Sequence, residues 1–275
     1  MKPKRHHFHP FWQADKPYLD KQSIADGRFR LMGYVMAMLA GAINAGGFFA
    51  ISSYTSHVTG TLSHTADHII LHEWQAASFA LISVICFILG AAHAHWTILW
   101  VQRQRGRSSY SLSMWLEAMY LLLLGLLATF FAEKNELRHS LIVLSLCFIM
   151  GMHNTVMSVL SGSTIRSTHM TGTATDLGIE LSKILYYSRQ HNPRLPKVQA
   201  NWQKVRFFSG MMASFLLGGV IGTWGYTRIG YHFTLPVAAC LMIFGAGSIN
   251  YDFRLRLKWY LRKQKNRKKY KHQNF

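Results

Sequence analysis

His57-Val58-Thr59-Gly60-Thr61 and His169-Met170-Thr171-Gly172-Thr173 are two copies of one phrase, and what surrounds each copy decides the fold. Upstream lies a small-residue helix ending, Gly41-Ala42-Ile43-Asn44 in the first half and Gly151-Met152-His153-Asn154 in the second. Downstream, Phe87-Ile88-Leu89-Gly90 with Trp96 answers Phe215-Leu216-Leu217-Gly218 with Trp224. Each half therefore reads as an apolar span, a polar Thr-Gly segment, a span with a Phe-x-Leu-Gly core, and a last span containing Gly125 or Gly245. A duplicated unit of this kind, surviving as weak internal similarity, is a recurrent architecture of membrane transporters.

Working outward, the apolar runs number six: Leu31–Ser53, Ala77–Val101, Leu112–Ala132, Leu141–Ser161, Phe207–Tyr226 and His232–Tyr251. Each is near the ~20 residues that cover the ~30 Å hydrocarbon core as a helix. A barrel would alternate apolar and polar residues, and these runs do not, so backbone satisfaction in lipid calls for helices. Three spans separate the two copies, so the second enters the membrane from the opposite side. The expected fold is an all-α membrane protein of six transmembrane helices, arranged as two inverted three-helix repeats, residues 31–132 and 141–251. Each repeat carries a polar Thr-Gly segment that can re-enter the membrane. Residues 1–30 and 252–275 are basic ends, and with no apolar core before Arg30 the first span is expected to act as an uncleaved signal anchor.

The net charge of +19 raises nucleic acid as a partner, and the positions of the 30 Lys and Arg residues argue against it. Seven precede the first span, Arg103, Arg105 and Arg107 follow the second, seven lie from Arg166 to Arg206, and ten follow Tyr251. Lys134, Arg138 and Arg228 alone fall on the other side. The positive-inside rule then places both termini, with the second and fourth loops, in the cytoplasm. The run Arg262-Lys263-Gln264-Lys265-Asn266-Arg267-Lys268-Lys269 reads as a topology determinant that can touch anionic lipid.

The chain resembles the YoaK family of bacterial six-span membrane proteins, a domain-of-unknown-function family, over roughly Arg30 to Tyr251. Gly41-x-x-Asn44-Ala45 with His57-x-Thr59-Gly60 carries the resemblance, as do Gly151-Met152-x-Asn154 and Thr168-His169-Met170-Thr171-Gly172-Thr173 with Asp176-Leu177-Gly178. The first copy departs from the pattern, with Asn44 where the family usually has an acid and Thr61 where it commonly has Asn. The resemblance implies transport with no assigned substrate, and a member that lacks any coupling that acid provides.

Residues 55–72 are too polar to face lipid and too poor in Lys and Arg for an ordinary exposed linker. Irregular backbone at membrane depth is tolerated where it lines a cavity. Short helices starting near Thr59 and Thr171 would aim their first amides at the midplane, capped by threonine hydroxyls. Meeting inside the bundle, the two starts would form one compact site for a small polar or anionic solute. The candidate binding residues are Asn44, His57, Thr59, Gly60, Asn154, His169, Thr171, Gly172 and Asp176. Against this stands close packing, for which small and hydroxyl residues also suffice, and for the asparagines an interhelical hydrogen bond.

Glu117 lies within the third span, and the expectation is that it snorkels to the cytoplasmic face or pairs with a loop arginine. His93 and His95 are expected to end the second span at the interface. His64, His68, His72 and Asp67 share a helical face on paper, but nothing comparable occurs in the second repeat, so no metal site is assigned. Cys86, Cys147 and Cys240 fall inside spans with no zinc spacing, as small apolar residues. No cofactor is implied, and the absence of paired acids, a nucleophile elbow or a zinc-protease motif argues against an enzyme. The reading is a transporter or channel, with a scaffold or sensor working through the basic tail as the alternative. Oligomeric state and solute are open.

Overall fold

The computed structural model describes residue 24 and residues 27–51, 53–103, 109–130, 136–186 and 198–246. Among these residues the chain is helical, with no strand. The helices are α1 Gly27–Ile51, α2 Val58–Ile70, α3 Trp74–Arg103, α4 Ser109–Phe130, α5 Glu136–Leu160, α6 Met170–Leu185 and α7 Trp202–Ile229. A 3-10 turn, Gly230–Phe233, then leads into α8 over residues 234–246. Most of the basic first segment and all of the basic tail lie outside the described residues.

Among the described residues five stretches are long and apolar enough to cross a membrane, where six were expected along the chain. The first four expected runs reappear as α1, α3, α4 and α5, with their ends moved by about a turn. The fifth and sixth fall in one helical stretch, Trp202–Ala246. As one straight helix its 45 residues would reach about 68 Å, more than twice a hydrocarbon core. It is not straight: Gly230 takes the left-handed region at φ 56°, and the 3-10 turn separates α7 from α8. Thr234 anchors the restart by donating to Leu121 O of α4 at 3.0 Å.

Two helices form the centre. The spans in α1 and α5 are 72% buried, against 28% for α3, whose outward side chains Ile85, Ile88 and Leu89 are exposed and apolar. Leu216, Leu217 and Trp224 of α7 are exposed in the same way, a surface suited to lipid rather than water. Gly33 meets Met157 and Met36 meets His153, so α1 and α5 run antiparallel. Antiparallel running also joins α4 to α5, through Glu117 with His153 and Tyr120 with Phe148. Gly125 facing Thr234 and Gly245 facing Trp115 make α4 and α8 antiparallel too.

The Phe-x-Leu-Gly repeat now has a physical cause. Gly218 of α7 takes the carbonyl of Met38 on α1, while Gly41 of α1 takes the carbonyl of Phe215 on α7. In the other pair, Gly90 of α3 takes the carbonyl of Phe148 on α5, and Gly151 of α5 takes that of Phe87 on α3. Any side chain at these four positions would run into the backbone of the neighbouring helix, so only glycine allows the approach. Each copy's Phe-x-Leu-Gly helix thus packs in parallel on the first helix of the other copy. The sequence repeats are interlocked and do not fold as side-by-side halves.

Candidate functional site

The polar segments begin with an asparagine. Asn44, near the end of α1, is buried, and its Oδ1 accepts from Ser56 N and Ser56 Oγ at 3.1 Å and from Thr55 Oγ1 at 3.4 Å. Asn154, near the end of α5, repeats this: its Oδ1 accepts from Thr168 N at 3.1 Å and Ser167 Oγ at 3.2 Å. Its Nδ2 donates to Thr168 Oγ1 at 2.6 Å. Each side chain therefore hooks the polar segment of its own copy back onto the preceding helix. Among the described residues neither asparagine side chain makes the hydrogen bond between two spans that was the packing alternative.

From the hooked residue the chain turns straight into a short helix, α2 after Ser56 and α6 after Thr168. His57 and His169 are the flanking residues, with nearly equal backbone angles (φ −89°, ψ 60° and φ −79°, ψ 59°) and no side-chain cap. The expected capping by threonine is corrected here. Thr61 Oγ1 donates to His57 O at 3.0 Å and Thr173 Oγ1 to His169 O at 3.1 Å, while Ser63 and Thr175 donate to the carbonyls of Thr59 and Thr171. These hydroxyls bond backwards along the helix and leave its first amides without an intrahelical acceptor. Gly60 and Gly172 let the two imidazoles lie over the helix starts, since a Cβ at either would stand 2.5 Å from the ring.

The placement of these residues differs from one compact buried site. His57, Thr59, His169, Thr171 and Asp176 are exposed on the chain, Gly60 and Gly172 are half-buried, and of the candidates only Asn44 and Asn154 are buried. Asn44 lies eight residues beyond Met36 on α1, and Asn154 one beyond His153 on the antiparallel α5. At 1.5 Å per residue the two hooks stand about 14 Å apart in height. The two starts are thus separate stations at different depths. The reason is the antiparallel crossing, which sends the ends of α1 and α5 in opposite directions.

Deeper in the bundle lies a pair the sequence did not join. Glu117 on α4 neither snorkels nor meets an arginine: it is fully buried, and its Oε1 stands 2.6 Å from His153 Nδ1, also fully buried. His153 Nε2 lies 2.9 Å from Met36 O on α1. Glu117 Oε2 has no hydrogen-bond partner among the described residues. The signal for this pair was the mismatch between the two helix endings, where His153 stands against Ile43.

Several other described histidines have local settings of their own. His93 is not at a helix end, because α3 runs on to Arg103, and it meets Tyr120 Oη at 3.2 Å. His68 Nδ1 pairs with Glu73 at 2.6 Å, and His72 sits beyond α2 in the left-handed region (φ 58°), off the face shared by His64 and His68. Among the described residues no three His, Cys, Asp or Glu side chains are grouped to hold a metal ion. On α6, Glu180 is buried and receives Asn201 N at 2.8 Å and Lys183 Nζ at 2.9 Å. The Asn201 amide first, and then the lysine, hold its carboxyl below the ordinary range against the opposing effect of burial. That bond ties α6 to the start of α7.

Among the described residues these features define an all-helical protein with several helices long and apolar enough to cross a membrane, as in a multi-pass membrane protein, in which one hooked helix start is built twice. The chain belongs to the family described as protein of unknown function (DUF1275), which matches residues 32–247 and is the family of the YoaK resemblance. No curated protein and no solved structure matches it.

Proposed function

We propose that the chain is a transporter or channel, not an enzyme, that moves a small polar or anionic solute across a bacterial inner membrane through six crossings in two inverted repeats. The running directions support the six crossings: α1, α4 and α7 run one way and α3, α5 and α8 the other. The observation that carries the reading is the twin helix start, held by Asn44 and Asn154 at the ends of two central antiparallel helices. Each start offers first-turn amides with no acceptor within the helix, of which Met170 N of α6 donates to Thr168 O just ahead of it, together with an imidazole and a threonine hydroxyl, a combination suited to an anion or a neutral polar group. Two stations at different depths suit a solute that is met from one side and then from the other.

Tracer flux into sealed vesicles holding the purified chain, over a panel of small polar and anionic metabolites, tests the proposal. Replacing both Thr59 and Thr171 with valine keeps shape and removes two hydroxyls, and recognition should weaken by ~1–3 kcal/mol for each lost partner. Equal flux in wild type and the double variant would remove the motifs from the pathway. Flux no greater than in empty vesicles for every solute tried would reject transport. It would leave a lipid- or partner-binding scaffold centred on the basic tail.

A further inference from the structure

Glu117 and His153 are the two fully buried titratable residues that face each other between the copies: Glu117 belongs to the first, His153 to the second. Their geometry fixes how many protons they hold. Met36 O can only accept, so the 2.9 Å contact requires a proton on His153 Nε2. The facing Nδ1 and Glu117 Oε1 are 2.6 Å apart, and two bare lone pairs do not approach so closely, so a second proton lies between them. Whether it sits on oxygen or nitrogen, the pair is neutral overall. Removing it leaves one uncompensated negative charge in the membrane interior, beside an Oε2 that has no partner among the described residues.

We infer that Glu117 and His153 form a single proton-binding site that couples solute movement to protons, an inference that rests on the transport reading above. Among the described residues the site occurs once. With Gly125 and Gly245 in register, the positions equivalent to Glu117 and His153 are Val237 and Ile43, both buried and apolar. The route from proton to solute is one residue long, because His153 is followed directly by Asn154, which holds the α6 helix start through Thr168. When the site gives up its proton to water, the bond across α4 and α5 is lost and α5 is free to shift, carrying Asn154 and the second station with it. Among the described side chains, the other titratable groups on the surrounding helices are Arg30 and Tyr34 on α1, Tyr110 and Tyr120 on α4, His139 and Cys147 on α5, and Cys86, His93, His95 and Arg103 on α3. Of these, Tyr120 and His93 bond to each other.

Full-length protein in lipid nanodiscs, with no solute added, provides the test. The closed arrangement holds the shared proton, so its stability is present at low pH and lost as pH rises through release. Melting temperature should therefore fall with rising pH in the wild type. In Glu117→Gln, whose amide donates to Nδ1 without a titratable proton, that fall should be missing. Nitrogen NMR of ¹⁵N-histidine wild type covers the case in which the variant fails to fold: Nε2 of His153 should stay protonated while the Nδ1 signal moves, as pH rises, from that of a nitrogen bonded to Glu117 through the shared proton to that of a bare one. A Nδ1 signal that does not change across the pH range in which the protein stays folded would overturn the proton site, and so would identical melting profiles in wild type and a folded Glu117→Gln. Either result leaves the flux measurement untouched, whereas a titrating site in a protein without flux would reject transport and the coupling to it while leaving the proton-binding site in place.

Discussion

At the scale of single residues, Asn44 and Asn154 hold the two polar segments, and their environments differ in a way that can be measured. Every neighbour of Asn44 Oδ1 is a donor: a backbone amide and two hydroxyls. A carboxylate could accept the same bonds, which gives a physical reason why an acid at this position is compatible with the same hook. Asn44→Asp should therefore leave thermal stability in detergent nearly unchanged at neutral pH, whereas Asn44→Leu should lower it by ~1–3 kcal/mol, the cost of buried donors left unpaired. Asn154 differs because its Nδ2 also donates, to Thr168 Oγ1 and Met150 O. Asn154→Asp places an acceptor against Met150 O, so it should destabilise where Asn44→Asp does not. Equal effects of the two aspartate variants would show that the hooks do not work as described.

At the scale of elements, glycine decides which helices touch. Gly90→Ala or Gly218→Ala would push a methyl group into the backbone of α5 or α1, a neighbour that cannot give way as a side chain tip does. Overpacking of that kind costs ~1–3 kcal/mol and occasionally more, so either variant should assemble poorly and melt markedly lower. Gly178, exposed in the middle of α6, has nothing within 4 Å of the position a Cβ would take. Gly178→Ala should stabilise by ~0.5–1 kcal/mol, because alanine loses less backbone entropy in a helix. Circular dichroism melts of these variants in one detergent check the ordering, and similar losses at Gly178 and Gly218 would contradict the interlock. Gly230 belongs to a different class, since its positive φ is what ends α7.

At the scale of the molecule, alternating helix directions make the topology testable. With both termini cytoplasmic, single cysteines at Ser63 and Glu136 should label with an impermeant reagent added to intact cells, and cysteines near Arg105, near Arg194 or in the tail should not. The native cysteines are replaced first. Labelling of a tail cysteine would overturn the orientation, and with it the reading of the charge bias.

The amino-acid sequence by itself determined the helical class, the membrane-like apolar runs, the family and the duplicated elements. These depend on composition, run length and recurring short phrases, all local properties of the chain. It also marked Asn44 and Asn154 as equivalent, because both stand at one register from a repeated phrase. Tertiary structure alone decided what those elements do. The Phe-x-Leu-Gly helices could be seen to repeat, but that each packs on the other copy's first helix depends on contacts between residues far apart in the chain. The same holds for Glu117, whose isolation in an apolar run was legible while its partner, 36 residues away on another helix, was not. Exposure of the threonines and the separation of the two stations follow from the antiparallel crossing of α1 and α5. A one-dimensional pattern does not carry an angle or a direction of packing, and those are what set the depth of each station and brought two buried titratable groups together.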